Sequence, residues 1–175
     1  YPDVRFSEAD MRNLQGFAES SSDAVFGPFN VLDVLNDAER RQALEEVRRL
    51  LTHGGLLIFS SHNRAYAPLI RKPLQLRTNS LRGLAGSVLY LPRRLRNRRR
   101  LLPLQREEAD YAILNDTAHD YSMLHYYISR SAQERQLADH GFALLECLDL
   151  DGQPVLDDES VSSHPELHYV ARRER

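Results

Sequence analysis

The side chains with the most chemical scope in this chain are three of its seven histidines and one run of arginines. His62 follows Ser60-Ser61, while His119 and His125 lie in Asp116-Thr117-Ala118-His119-Asp120-Tyr121 and Leu124-His125-Tyr126-Tyr127. Imidazole titrates near neutrality, so each of the three is a candidate base able to take a proton from a hydroxyl or an amine. The crowding of acids, imidazoles and Tyr126-Tyr127 has two readings: a substrate pocket, or a polar edge whose histidines are satisfied locally. His119, Asp120 and His125 match no recognised metal-ligand spacing, and Cys147 is the only cysteine, so no metal site is expected. No Gly-x-Ser-x-Gly elbow is present, which weighs against serine-hydrolase chemistry.

Charge is segregated along the chain. Residues 64–106 hold 12 of the 23 basic groups and no Asp or Glu, leaving 11 basic against 25 acidic groups elsewhere. The densest part, Arg93 to Arg100, has three readings. It can bind phosphates of a nucleic acid or of a phosphate-bearing substrate, or lie on an anionic membrane with Leu89, Leu91, Leu95, Leu101 and Leu102 beside it. Alternatively it is a solvated lid balanced by the acidic remainder. Only Tyr90 adjoins the run, so single-strand stacking is not supported.

These groups need elements to position them. Val4-Arg5-Phe6 alternates as a short strand does, and Asp23-Ala24-Val25-Phe26 before Gly27-Pro28 reads as a buried strand. Asn36 with Glu39 forms a capping box ahead of Leu44, Val47 and Leu51, and His53-Gly54-Gly55 ends that helix. Leu56 to Phe59 is continuously apolar, as a strand covered on both faces requires. Strand, helix and strand with short joints predict a parallel unit, whose carboxyl edge would carry Ser60 to Asn63. Ser131 with Glu134 caps a later helix that stops at Gly141, followed by strands over Phe142 to Leu150 and Leu167 to Ala171. Between them Pro68, Pro73, Pro92 and Pro103 break the rhythm into what reads as an insertion of short helices.

With 175 residues, 42% apolar and 27% charged, the chain has the composition of one ordinary globular domain. No stretch approaches the roughly 18 apolar residues that span a bilayer, and Tyr1-Pro2-Asp3 is not a secretory leader. A single cysteine fits a reducing, cytoplasmic setting.

Phe6 through Asp10-Met11, then Ser22 to Phe26, then Glu39 through Gly54-Gly55 to Ser60 resembles the middle of a class I S-adenosylmethionine-dependent methyltransferase. Gln133 to Leu137, Gly141-Phe142 and the strand ending in His168-Tyr169-Val170 are similar to the end of the same fold. The resemblance implies an α/β, Rossmann-like sheet, mostly parallel with an antiparallel carboxyl-terminal strand. It covers about 110 residues and divides the chain into core (1–63), basic insertion (64–122) and core (123–175). The family's glycine-rich loop and ribose-binding acid have no counterpart here, so the expectation is a chain lacking the family's first strands.

By the same resemblance the cofactor is S-adenosyl-L-methionine. Asp10 would accept from the adenine amino group, the Met11 amide would meet the ring, and Phe26 and Gly27 would line the cleft. Asn30 and Asp33 could touch either ligand or simply cap the following helix. Methyl transfer from a sulfonium is an in-line displacement that depends on alignment, with a histidine helping where the acceptor must lose a proton. The acceptor's class stays open. The rival expectation is a non-catalytic module whose basic insert binds nucleic acid or an anionic membrane.

Overall fold

Asn36 opens the clearest helix. Its side chain accepts from the Glu39 amide while Glu39 accepts from the Asn36 amide, and α1 runs Asp37–Leu50. The computed structural model describes residues 4–66, 81–156 and 162–174. Ahead of α1 lies β1 (Ser22–Gly27), and directly after it β2 (Leu51–Asn63). The helix therefore ends at Leu50, before the glycines rather than at them. His53-Gly54-Gly55 instead forms a bulge, since Ser22 pairs with Leu51 but Ala24 with Leu56. Gly55 is required there, because a Cβ would sit 2.9 Å from the Thr52 carbonyl and 3.1 Å from that of Asp23.

The β1–α1–β2 unit is parallel, as the sequence predicts. After it come α2 (Leu81–Leu101), β3 (Arg106–Glu107), β4 (Tyr111–Leu114), β5 (His125–Ile128), α3 (Arg130–Asp139), β6 (Phe142–Leu148) and β7 (Glu166–Arg173). The strands form one mixed sheet in the order β3-β4-β5-β2-β7-β6, with β1 also on β2. The β6–β7 pair closes antiparallel, as expected. One core packs α1 on the sheet through Ala43, Leu44, Val47, Leu57, Phe59, Leu137, Leu167 and Tyr169.

Four expectations need correction. Residues 4–9 form no strand and Phe6 is exposed, since an isolated alternating triplet has no ladder to join. β1 is not buried: among the described residues its one partner is β2, and Phe26 is 68% exposed. The cap of α3 is Ser129, which accepts from the Ala132 amide, rather than Ser131. Among its described residues the insertion holds one 21-residue α-helix with Pro92 inside it, together with two short 3₁₀ turns and the strands β3 and β4. Val88 and Pro92 are both exposed, so water can serve the carbonyl that loses its donor. The breaks at Pro68 and Pro73 lie outside the described residues. Gly141 does stop α3, at φ 73°.

Candidate functional site

Parallel pairing of β2 with β5 sets His62 beside Tyr127. Strand side chains alternate, so His125 and Tyr127 share one face and Tyr126 takes the other. The His62 ring lies 4.9 Å from that of Tyr127 and 5.3 Å from that of His125. His119 follows at 6.1 Å from His125. All three histidines singled out from sequence thus converge beside the carboxyl end of β2, where β5 begins.

Two of them carry a carboxylate on Nδ1. His62 Nδ1 lies 2.7 Å from Asp33 Oδ2, and His125 Nδ1 lies 2.8 Å from Asp116 Oδ2. A proton on each Nδ1 leaves Nε2 with its lone pair, the tautomer that a base needs. Asp33 is fully buried in the short 3₁₀ turn Val31–Val34 after β1, and caps nothing. It accepts from Arg40 Nη1 at 2.5 Å, Ser61 Oγ at 2.7 Å and the His62 amide at 2.6 Å. Arg40 is fully buried too, so the charge of Asp33 is balanced inside the fold. Asp116 also accepts from the Tyr127 hydroxyl at 2.6 Å and from the Ala118 amide.

Burial alone would depress the His62 pKa. The hydrogen bond to Asp33 and the charges of Asp33, Asp116 and Glu166 outweigh it, and His62 ends above its ordinary 6.5. For Asp116 burial pushes upward, but the bonds from His125, Tyr127 and Ala118 win, and the carboxyl falls below its usual range. Burial and the Asp116 charge push the Tyr127 phenol up, so it stays protonated as a donor.

Asn30 stands beside His62 and is itself buried. Phe29 and Asn30 take left-handed backbone at φ 58° and 55°, and the Asn30 amide is tied to Ser60 Oγ at 2.9 Å. Its Nδ2 donates to Glu166 Oε2 at 2.7 Å and lies 3.3 Å from His62 Nε2. Asn30 Oδ1 is buried with no hydrogen-bond partner among the described residues. An orphaned carbonyl beside an imidazole is a place for a ligand's donor.

The turn holding His119 is strained. His119, Asp120 and Tyr121 have φ of 49°, 56° and 60°, and none is glycine. Such conformations cost roughly 1–3 kcal/mol each and persist only when clamped. The clamp is α2: Arg94 Nε donates to Asp120 Oδ1 at 2.8 Å, Asn97 Nδ2 donates to the Asp120 carbonyl at 3.0 Å, and the Arg98 guanidinium lies 5.3 Å from the Tyr121 ring centre.

Asp10 and Met11 lie elsewhere. They line a shallow, largely open cleft with Glu8, Arg12, Val34, Leu35 and Glu39. The Arg12 side chain holds the Asp10 carboxyl down to about 2, so it is ionised. Arg12 also pairs with Glu39 at 2.5 Å, which fastens this loop to α1. Gly27 ends β1, where a Cβ would meet Val31 Cγ1 at 3.1 Å, so its small size admits the 3₁₀ turn. That turn joins the two regions, with Asp33 on the histidine side and Val34 and Leu35 on the cleft. Tyr126 is not brought to His62. Its hydroxyl donates to Asp37 Oδ1 at 2.6 Å and its ring lies 4.7 Å from the Arg40 guanidinium carbon, on the α1 side.

Sequence reasoning missed Arg40. Its signal was available: a charged residue on the stripe of α1 that includes Ala43, Leu44 and Val47 must be paired inside. Apart from this cluster, Asp149, Asp151 and His164 bring ligand atoms within 4.8 Å of one another, but Asp149 Oδ1 is spent on the amides of Asp151 and Gln153.

The sequence model of a family described as "Methyltransferase domain" matches residues 1–55. Comparison with curated proteins finds no match. Among solved structures, 1,6-didemethyltoxoflavin N1-methyltransferase from Burkholderia thailandensis is 12% identical with a TM-score of 0.56, over 98% of this chain and 52% of its own. An S-adenosylmethionine-dependent methyltransferase from Mesorhizobium loti is 16% identical with a TM-score of 0.56, over 99% of this chain and 72% of its own. One from Clostridium acetobutylicum is 12% identical with a TM-score of 0.56, over 98% and 65%. The chain thus spans about half the length of the first, 72% of the second and 65% of the third.

Proposed function

We propose that this chain, whose fold is that of the class I S-adenosylmethionine-dependent methyltransferases, belongs to an enzyme that methylates a hydroxyl or amine with His62 as general base. The observation that carries this is the Asp33–His62 dyad, one residue away in sequence from the wall of the Asp10 cleft.

The cleft residues suit an adenosyl group. Asp10 is an ionised acceptor for an exocyclic amine, Met11 adjoins it, and Val34 and Leu35 offer apolar contact to a ring. Phe26 and Gly27 end β1, just before the turn that carries Asp33, Val34 and Leu35. When bound, S-adenosylmethionine supplies an electrophilic methyl on its sulfonium. The chain's own task is alignment and proton removal. Asn30 Oδ1 accepts from the substrate and fixes its angle. His62 Nε2 takes the proton that the acceptor oxygen or nitrogen loses, and Asp33 steadies the resulting imidazolium through Nδ1–H. Asp33 stays an anion throughout because Arg40 faces it. Tyr127 and the Asp116–His125 pair wall the far side. In this reading 1–63 and 123–175 form the core, and 64–122 covers the acceptor. The lone, buried Cys147 suits a cytoplasmic setting.

Calorimetric titration of S-adenosylhomocysteine into the protein tests the cofactor half. Saturable binding is expected, weakened about tenfold or more by Asp10→Ala, as for loss of a charged hydrogen bond. Absence of binding to folded protein overturns the proposal.

A further inference from the structure

The helix α2 has two faces with different occupants. Arg94, Asn97, Arg98 and Leu101, at i, i+3, i+4 and i+7, turn toward the body: the first three hold Asp120 and Tyr121, and Leu101 is buried. Leu89, Arg93, Arg96 and Arg100, at i, i+4, i+7 and i+11, turn the other way and are exposed, with Arg99 beside them. Leu89 is 73% exposed, and Val88, Tyr90 and Leu95 are exposed near it. Among the described residues Arg93, Arg96, Arg99 and Arg100 carry no ion pair.

This outward face is also graded along its length. Residues 88–92 contain no charge, whereas 93–100 contain no acid and present Arg93, Arg96, Arg99 and Arg100 on this face. At about 1.5 Å per residue the apolar end and the basic end stand within roughly 20 Å of each other. A phosphate-bearing polymer would engage the arginines, but would leave Val88 and Leu89 in water. An interface made of acyl chains below a layer of phosphates engages both. No described helix is long and apolar enough to cross a membrane, so the contact is peripheral.

We infer that the outward face of α2 docks the protein on an anionic phospholipid surface, with Val88 and Leu89 entering the interface and Arg93, Arg96, Arg99 and Arg100 meeting the headgroup phosphates. The inference does not depend on the methyl-transfer proposal. The docked helix would be linked to the histidine cluster through Asp120 and Tyr121, next to His119 in the chain.

The experiment is sedimentation with vesicles of equal phosphatidylglycerol and phosphatidylcholine, against vesicles of phosphatidylcholine alone. The chain has no tryptophan, so Leu89→Trp installs a single reporter at an exposed position. Expected are partition to the anionic vesicles alone, a blue shift of that reporter, and a loss of roughly fivefold per arginine when Arg93, Arg96, Arg99 and Arg100 are changed to Gln. Three results would overturn the inference: no partition to anionic vesicles, partition with the reporter spectrum still that of exposed indole, or single-stranded RNA of matched charge displacing the protein from them at substoichiometric concentration.

Discussion

Arg40 spends Nε on Gln136, Nη1 on Asp33 and Nη2 on Gln133 and Ser61, with none of its side chain in water, whereas Arg93, Arg96, Arg99 and Arg100 stand exposed along α2. The same guanidinium therefore does opposite jobs at two places. At Arg40 the fold has satisfied the cation completely, and what it gains is a fixed, ionised Asp33. On α2 the fold leaves the donors unspent, and what it gains is a surface for something else. An arginine's role is set by whether its donors are closed within the chain, not by local sequence.

Removing Arg40 should break this contrast most severely. Arg40→Met leaves Asp33 as a buried, unbalanced anion, a loss of about 3–5 kcal/mol. Differential scanning calorimetry should show this as a fall in Tm of roughly 10 °C, while Arg96→Met should leave Tm nearly unchanged. A surviving Tm in the Arg40 variant would mean that Asp33 is protonated or solvated.

The second test concerns His62 and its pH dependence. Its folded pKa is raised, so the protonated ring favours the native state. That contribution is fully present below the unfolded value near 6.5 and is lost as pH rises through the folded value. Urea midpoints should therefore fall with pH above about 6.5 in the native protein. His62→Gln should flatten that slope, and in turnover of any acceptor found it should cost on the order of 10²- to 10⁴-fold. An unchanged slope would show that His62 is not the titrating group.

The smallest effect is expected at the junction of the two regions. Asp120→Ala removes one partner of Arg94, worth about 1 kcal/mol at a partly exposed pair. Asp120→Gly should lose less, because φ 56° strains alanine and suits glycine. Equal losses in thermal unfolding would show that the turn relaxes once the pair is gone.

Local signals were legible in the sequence: the Asn36–Glu39 box, the Gly141 stop and the apolar run of β2 all appear where their spacing puts them. The three histidines were legible as candidates, because acids and aromatics crowd two of them in the chain. Their partners were harder. Asp33 reaches His62 through the β1–β2 pairing and the turn after β1, and His125 reaches it through the β2–β5 register. Nothing local encodes such a register, which depends on how long strands align. Tyr126 and Tyr127 show the same limit: adjacent in sequence, they fall on opposite faces, a distinction that only the strand assignment makes. Pro92 misled because its usual effect is to break a helix, yet here the lost bond faces water.

The left-handed run at His119, Asp120 and Tyr121 is where α2 meets the histidine cluster: Arg94 and Asn97 hold Asp120, and His119 lies 6.1 Å from His125. Coupling between two sites is reciprocal. Were the seating of α2 to order His119, a ligand that needs His119 in place would tighten α2 on Asp120, and by the same free energy a firmer seat for α2 would tighten that ligand.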